Sequence, residues 1–256
     1  METPTEPQIR LAVEGPIATI TLARADKLNA LTPAMLASLE EIATELEQDD
    51  TVRVVLLRGE GRAFCVGADI HAWTALEPQQ MWRLWIRNGH RVFERVARLP
   101  QPVIAAVHGF AFGGGLELAM AADIRIAAEG TAFALPEVTL ATVPGWGGTQ
   151  RLPAKIGLGR AKRMVYTGER IDAQTAERWG LVEEVVPADR LVERVQELAA
   201  TIARNAPLAV QLAKQVMSGD SIALEAMAGA LAATTEDAKE GLAAFRERRT
   251  PQFTGK

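Results

Sequence analysis

Glu117 follows two residues behind a glycine triplet, Gly113-Gly114-Gly115, and that pairing is the first place in the chain where chemistry is legible. Three adjacent glycines are costly in chain entropy, so the backbone there must need to run without Cβ atoms. Upstream, residues 103–107 form an apolar run behind Pro102, the pattern of a buried strand. Downstream, residues 116–122 are good helix formers. A strand, a glycine turn and a helix start leave the first helical N–H groups unpaired, with the positive end of the helix dipole behind them. Such a cradle suits an anion or a developing oxyanion. A carboxylate beside a pocket of donors is a hint of catalysis. A structural explanation stands level with it, because glycine turns precede helices in many folds and the dipole alone favours Glu in a first turn. The stretch is no nucleotide fingerprint: neither G-x-G-x-x-G nor a G-K-[ST] ending is present.

The chain that must position these residues has 256 of them, enough for one large domain or a domain with an appendage. With 48% apolar and 23% charged residues it reads as a soluble globular protein, and no apolar run approaches the roughly 18 residues of a membrane span. Residues 1–7 lack the basic and apolar regions of a signal peptide and read as a short lead-in. A formal charge of −4 without a dense basic block argues against nucleic acid as the partner. A single cysteine forms no internal disulfide and fits a reducing cytoplasm. Three scattered histidines argue against a histidine-built metal site, so no metal is expected.

Residues 9–13 and 17–22 read as two strands joined at Glu14-Gly15-Pro16. Thr32-Pro33 supplies an N-cap and a first-turn proline for a helix whose stripe is Met35, Leu36, Leu39, Ile42 and Leu46. Strands follow at 52–57, 103–107, 123–127, 132–135 and 182–186, with one long helix expected over 78–99. Its arginines read as a solvated face. From residue 189 the pattern is helical only, at 191–205, 208–217 and 222–248. A boundary is therefore expected near Pro187, between a β/α core over 1–187 and a helical region over 188–256. Ala-rich helices bury little per residue and must dock on the core or on another subunit.

Three glycine-punctuated loops, at 63–69, 109–117 and 134–148, complete a pattern. Ala63-Phe-Cys-Val-Gly-Ala-Asp-Ile70, Val107-His-Gly-Phe-Ala-Phe-Gly-Gly-Gly-Leu-Glu-Leu-Ala119, Phe133-Ala-Leu-Pro-Glu137, Pro144-Gly-Trp-Gly-Gly-Thr-Gln-Arg-Leu152 and Tyr166-Thr-Gly-Glu-Arg-Ile171 occur in order. Together they resemble the enoyl-CoA hydratase/isomerase (crotonase) superfamily over essentially the whole chain. The resemblance implies an α/β fold: a crotonase-like ββα spiral core with a C-terminal helical trimerisation region, assembling as a homotrimer or a dimer of trimers.

It also implies roles. The substrate would be an acyl-CoA thioester, with no permanent cofactor. The backbone N–H groups of Ala68 and Gly114 would hold the thioester oxygen, where charge builds in an enolate. Glu117 would orient and deprotonate water, and Glu137 would exchange the proton at Cα. Without the family, Glu137 is as well read as a turn acid after Pro136. Lys27 and Leu28 match the segment beside the CoA moiety, and Val66 the loop bordering the adenine. Asp69, Ile70, Gly113, Pro136, Gly145 and Trp146 belong to matching segments around the acyl-CoA. Phe245 and Arg248 match positions that reach it, often from a neighbouring subunit; Arg248 is equally one arginine of a solvated run.

Two departures bear on this assignment. Ala25 stands where many relatives have proline. Trp146 stands where many have a smaller residue; its ring either narrows the acyl pocket toward short acyl groups or packs on the surface of the loop. Trp73, Trp82 and Trp85 fall near the segment lining the acyl tunnel in relatives, although helix-spaced aromatics are more often core. Cys65 reads as a small apolar packer and His108 as structural. The implied activity is hydration of a trans-2-enoyl-CoA. The rivals are a Δ3,Δ2-enoyl-CoA isomerase, a dedicated hydroxyacyl-CoA dehydratase, and a non-catalytic acyl-CoA- or RNA-binding relative.

Overall fold

The computed structural model describes residues 8–74, 76–219 and 222–256, so the expected lead-in at 1–7 lies outside the described residues. The chain opens with a hairpin, β1 (Ile9–Glu14) and β2 (Ile17–Leu22), turned at Gly15 with φ +57°. A 3₁₀ turn (Ala25–Lys27) leads to α1 (Pro33–Glu47), whose Thr32 hydroxyl accepts the Met35 N–H as the sequence requires. β3 (Val54–Gly59) and a loop then reach a short α2 (Ile70–Trp73). The helix expected over 78–99 is composite: α3 (Pro78–Gln80), a π-helical turn over Met81–Ile86, and α4 (Arg87–Ala97). Its arginines are not simply solvated, since Arg91 and Arg95 pair with Glu40 and Glu47 of α1.

β4 (Val103–Val107) precedes a strand that the sequence reading took for part of the glycine turn, β5 (Phe110–Phe112). There follow α5 (Gly114–Ala121), β6 (Ile124–Ala128), β7 (Ala132–Ala134), a 3₁₀ turn (Glu137–Leu140), α6 (Gly148–Ile156) and α7 (Leu158–Thr167). β8 (Ile171–Asp172), α8 (Ala173–Trp179), β9 (Glu184–Val186), α9 (Leu191–Ala203), α10 (Pro207–Ser218), α11 (Ile222–Ala232) and α12 (Glu236–Glu247) complete it. The single helix expected over 222–248 is two, because the Thr235 hydroxyl accepts the Ala238 N–H and starts α12 afresh.

The described strands form two sheets: β1-β2-β3-β4-β6-β9, parallel after the first pair, and a small β5-β7-β8. In β4 all five residues are buried, as expected of a parallel strand covered on both faces. Alternate residues serve different cores. Val103, Ala105 and Val107 join the large core with α1, α4 and α5; Ile104 and Ala106 join a second core closed by Leu191, Val195 and Ala199 of α9. The chain beyond Pro187 thus begins by covering the sheet. The C-terminal segment is also tied down: Asp237 accepts the N–H groups of Thr254 and Gly255, and Arg53 donates to the Phe253 carbonyl.

The loops that carry the glycines are fastened by one side chain. Asn29, fully buried in a left-handed conformation (φ +57°), accepts the Arg24 N–H and donates to the carbonyls of Glu60, Ala63 and Phe64 at 2.9–3.1 Å. It joins the segment around Lys27 and Leu28 to the loop leading to Ala68. Asn29→Ala leaves those carbonyls unpaired and is expected to cost about 1–3 kcal/mol in urea unfolding; a neutral result would mean that water or a shifted backbone replaces the amide.

Candidate active site

Each glycine of the triplet is demanded by something different. Gly113 has φ +51°, a Cβ on Gly114 would stand 2.6 Å from the Trp146 ring, and one on Gly115 would stand 2.1 Å from the Cys65 carbonyl. This close packing brings the N-terminus of α5 against the 63–69 loop. There, Ala68 bridges to Leu31 in a parallel pairing made by its neighbours: Leu31 N–H donates to Gly67 and Asp69 N–H donates to Leu31. The N–H of Ala68 itself therefore points away from Leu31. Gly114 is the first residue of α5, and its N–H has no helical acceptor. A Cβ on Gly114 would lie 3.6 Å from the Ala68 nitrogen, so the two donors sit side by side.

Ala68, Gly114, Glu117 and Glu137 all line one cleft of about 120 Å³. Glu117 is 1% exposed. Its Oε1 accepts two backbone N–H groups, from Trp146 at 2.8 Å and Gly148 at 2.7 Å. Burial pushes its pKa up to about 7, against those two donors and the Arg151 charge, which pull it down. Glu137 heads the 3₁₀ turn after Pro136, and its Oε1 lies 3.0 Å from where a Cβ on Gly113 would be. Its Oε2 is buried with no hydrogen-bond partner among the described residues. Burial first, and the Glu117 charge second, push Glu137 up to about 7 as well. It is not a solvated turn acid. The ionised form of Glu117 thus disfavours ionisation of Glu137, so the two carboxyls are electrostatically linked in the cleft.

The loop that hydrogen-bonds Glu117 is itself held. Arg151 donates to the Trp146 carbonyl (3.2 Å) and pairs with Glu94 (2.6 Å). Val66, Ile70, Gly113, Pro136, Gly145 and Trp146 line the cleft, so Val66, expected beside the adenine, stands in the same wall as the two glutamates. Asp69 does not: its carboxylate pairs with Arg24 at 2.6 Å and caps α2 through the His71 N–H. The Arg24 hydrogen bond holds it below the usual carboxylate range. Lys27 and Leu28 lie outside the cleft, joined to its rim where the Val66 N–H meets the Leu28 carbonyl. Phe245 (84% exposed) and Arg248 sit at the end of α12, away from the cleft of their own chain.

Trp73 and Trp85 line the cleft, while Trp82 faces out at 56% exposure. Met81, Ile86, Leu140, Thr142 and Val143 complete the wall and carried no signal of their own, since apolar residues on helices and turns look alike in sequence. Asn29 closes the Asp26-Lys27-Leu28-Asn29 segment that resembles the CoA-side loop, but nothing in the sequence marked its amide as the fastener of the 60–64 carbonyls. Cys65 is buried, its thiol pushed up to about 12, and His108 hydrogen-bonds the Gly61 carbonyl. Among the described residues, no group of three His, Cys, Asp or Glu side chains gathers as a metal site, and no helix is long and apolar enough to cross a membrane.

A sequence model of the enoyl-CoA hydratase/isomerase family matches residues 12–256. The short-chain-enoyl-CoA hydratase of Clostridium acetobutylicum is 40% identical over 247 residues, spanning 93% of this chain and 95% of that protein. The crotonyl-CoA hydratase of Syntrophomonas wolfei is 39% identical over 259 residues, spanning 97% and 98%. A crystal structure of an enoyl-CoA hydratase from Bacillus anthracis matches with a TM-score of 0.94 at 43% identity, covering 97% of this chain and all of that one.

The raised carboxyls make stability pH-dependent. Glu117 keeps its proton in the folded protein where the unfolded chain, with pKa near 4.5, has lost it. The folded state therefore binds more protons between about pH 4.5 and 7, and stability falls as pH rises through that window. At about 1.4 kcal/mol per pKa unit the loss is on the order of 3 kcal/mol. Glu117→Gln, whose amide oxygen still accepts both N–H groups, is expected to match the parent in Tm near pH 4.5 and exceed it at pH 8. Parallel Tm curves for the two proteins would show that the carboxyl is not raised.

Proposed function

The chain belongs to the enoyl-CoA hydratase/isomerase family, and from that premise we propose that it catalyses the reversible addition of water to a trans-2-enoyl-CoA, giving a 3-hydroxyacyl-CoA. The observation that carries this reading is the meeting of Glu117 and Glu137 in one cleft with the N–H groups of Ala68 and Gly114. Pure isomerisation needs one base to shuttle one proton. Hydration needs a base for water and an acid for Cα, and two buried carboxyls both raised to about 7 are suited to divide those roles.

The thioester oxygen sits against the Ala68 and Gly114 N–H groups, so enolate charge develops at a helix N-terminus. Glu117 has Oε1 committed to Trp146 and Gly148, which leaves Oε2 to take a proton from water. The hydroxyl adds to Cβ as that proton leaves. Glu137, with Oε2 unpaired, delivers its proton to Cα. Both carboxyls work from one side, so the addition is syn. Glu117 ends protonated and Glu137 ionised; the reverse reaction runs the same transfers backward.

Crotonyl-CoA is the test substrate, followed by loss of its conjugated thioester absorbance. Wild type is expected to form 3-hydroxybutyryl-CoA, and Glu117→Gln and Glu137→Gln each to lose about 10²–10⁴ in kcat/KM. Full activity in Glu117→Gln would sink the assignment of water activation to that residue and favour a Δ3,Δ2-isomerase, to be assayed on a 3-enoyl-CoA.

The same reading makes the C-terminal helices an assembly face. Met217, Met227, Leu231, Leu242 and Phe245 are exposed in the single chain. Assembly as a trimer or dimer of trimers covers them and offers Phe245 and Arg248 to a neighbouring site. Sedimentation is expected to give three or six times the 27.6 kDa of one chain; a monomer at micromolar concentration would refute it.

A further inference from the structure

Trp146 is a loop residue with the environment of a core residue. Its indole is 2% exposed, and it forms wall in the same cleft as both glutamates and both N–H donors. Three contacts fix it. The ring lies 5.1 Å from Trp85 and edge-on to Phe93 at 5.2 Å, and Nε1 donates to the Trp85 carbonyl at 3.3 Å. The backbone of the same residue is fixed by its N–H on Glu117 and its carbonyl on Arg151. A side chain held at both ends does not swing aside to admit a ligand.

The helix opposite is cut away to receive it. Gly89 of α4 is buried, and a Cβ there would stand 2.3 Å from two indole atoms, Cε2 and Nε1. At the other end of the ring, a Cβ on Gly114 would stand 2.6 Å from Cζ3. The indole therefore spans from the oxyanion donor on α5 to the backbone of α4 and fills the space between those helices. An acyl group with its carbonyl at Gly114 and its Cβ between the glutamates meets this ring as it continues inward. The geometry points to Trp146, seated in the Gly89 notch, as the residue that ends the acyl site and confines the protein to short-chain enoyl thioesters. This inference rests on the acyl-thioester reading above and adds the substrate class.

The test separates the two readings by using ligands that are bound but not turned over. Calorimetric titration of butyryl-CoA and decanoyl-CoA is run on wild type, Trp146→Ala and Trp146→Leu, beside turnover of crotonyl-CoA and trans-2-decenoyl-CoA. Wild type is expected to favour the four-carbon over the ten-carbon thioester by at least about tenfold, the low end of the discrimination that pocket walls supply. Trp146→Ala is expected to shift that ratio toward the longer chain by tenfold or more, and Trp146→Leu by less in the same direction. If the Ala variant does not fold, the Leu variant decides. Equal handling of both chain lengths by wild type, or an unchanged ratio in the folded variants, overturns the proposal. A protein that discriminates by length in binding yet hydrates neither substrate would refute the hydratase reading and leave the length limit standing.

Discussion

Glu117 is an ionisable side chain at 1% exposure, and the loops around it are arranged about the cost of keeping it there. A buried carboxylate without compensation costs several kcal/mol, so partners must be built in. Here they are two main-chain N–H groups from the turn at 146–148, which requires a left-handed residue at Gly147 (φ +111°). That turn needs a strut of its own, and Arg151 provides it by joining the Trp146 carbonyl to Glu94. The compensation is partial. What remains shows as a raised affinity for a proton, the property that an acid–base catalyst needs at neutral pH.

Precision at the cleft depends on layers well away from it. β4 presents alternate residues to two cores, so its C-terminal end and the glycines beyond are held from both sides. Asn29 ties the 3₁₀ turn to the 63–69 loop, and Gly115 lets the N-terminus of α5 press against Cys65. Deleting any of these would move the N–H groups of Ala68 and Gly114 relative to each other, and the work of paired donors is sensitive to small displacements.

The parts readable in the sequence were those where one residue type has one physical reason to be present. The glycine triplet, the Thr32-Pro33 helix start and the apolar strand at 103–107 all stand where the residue types demand. Glu137 was ambiguous on its own, because nothing in Pro136-Glu137 distinguishes an acid facing solvent from one turned into a cleft. Asp69 was assigned to the ligand through its neighbours in the motif, yet its side chain is consumed by Arg24 and by capping α2. β5 was missed because three residues between glycines look like a turn unless the distant partner, β7, is known. The break before α12 was legible in principle, since Thr234-Thr235 is a cap signal that Ala-rich flanks obscured.

The π-helical turn at Met81–Ile86 carries a consequence of a different kind. A π turn holds one residue more than the α-helical turn it replaces. Met81 lies at its start, and Trp85 and Ile86 at its end, and all three line the cleft. Losing one residue between them would rotate one side against the other by roughly 100° about the helix axis. Trp82 and Leu84, now turned to solvent, would compete for the inward positions. A one-residue change of length here therefore redraws this wall without substituting any side chain on it.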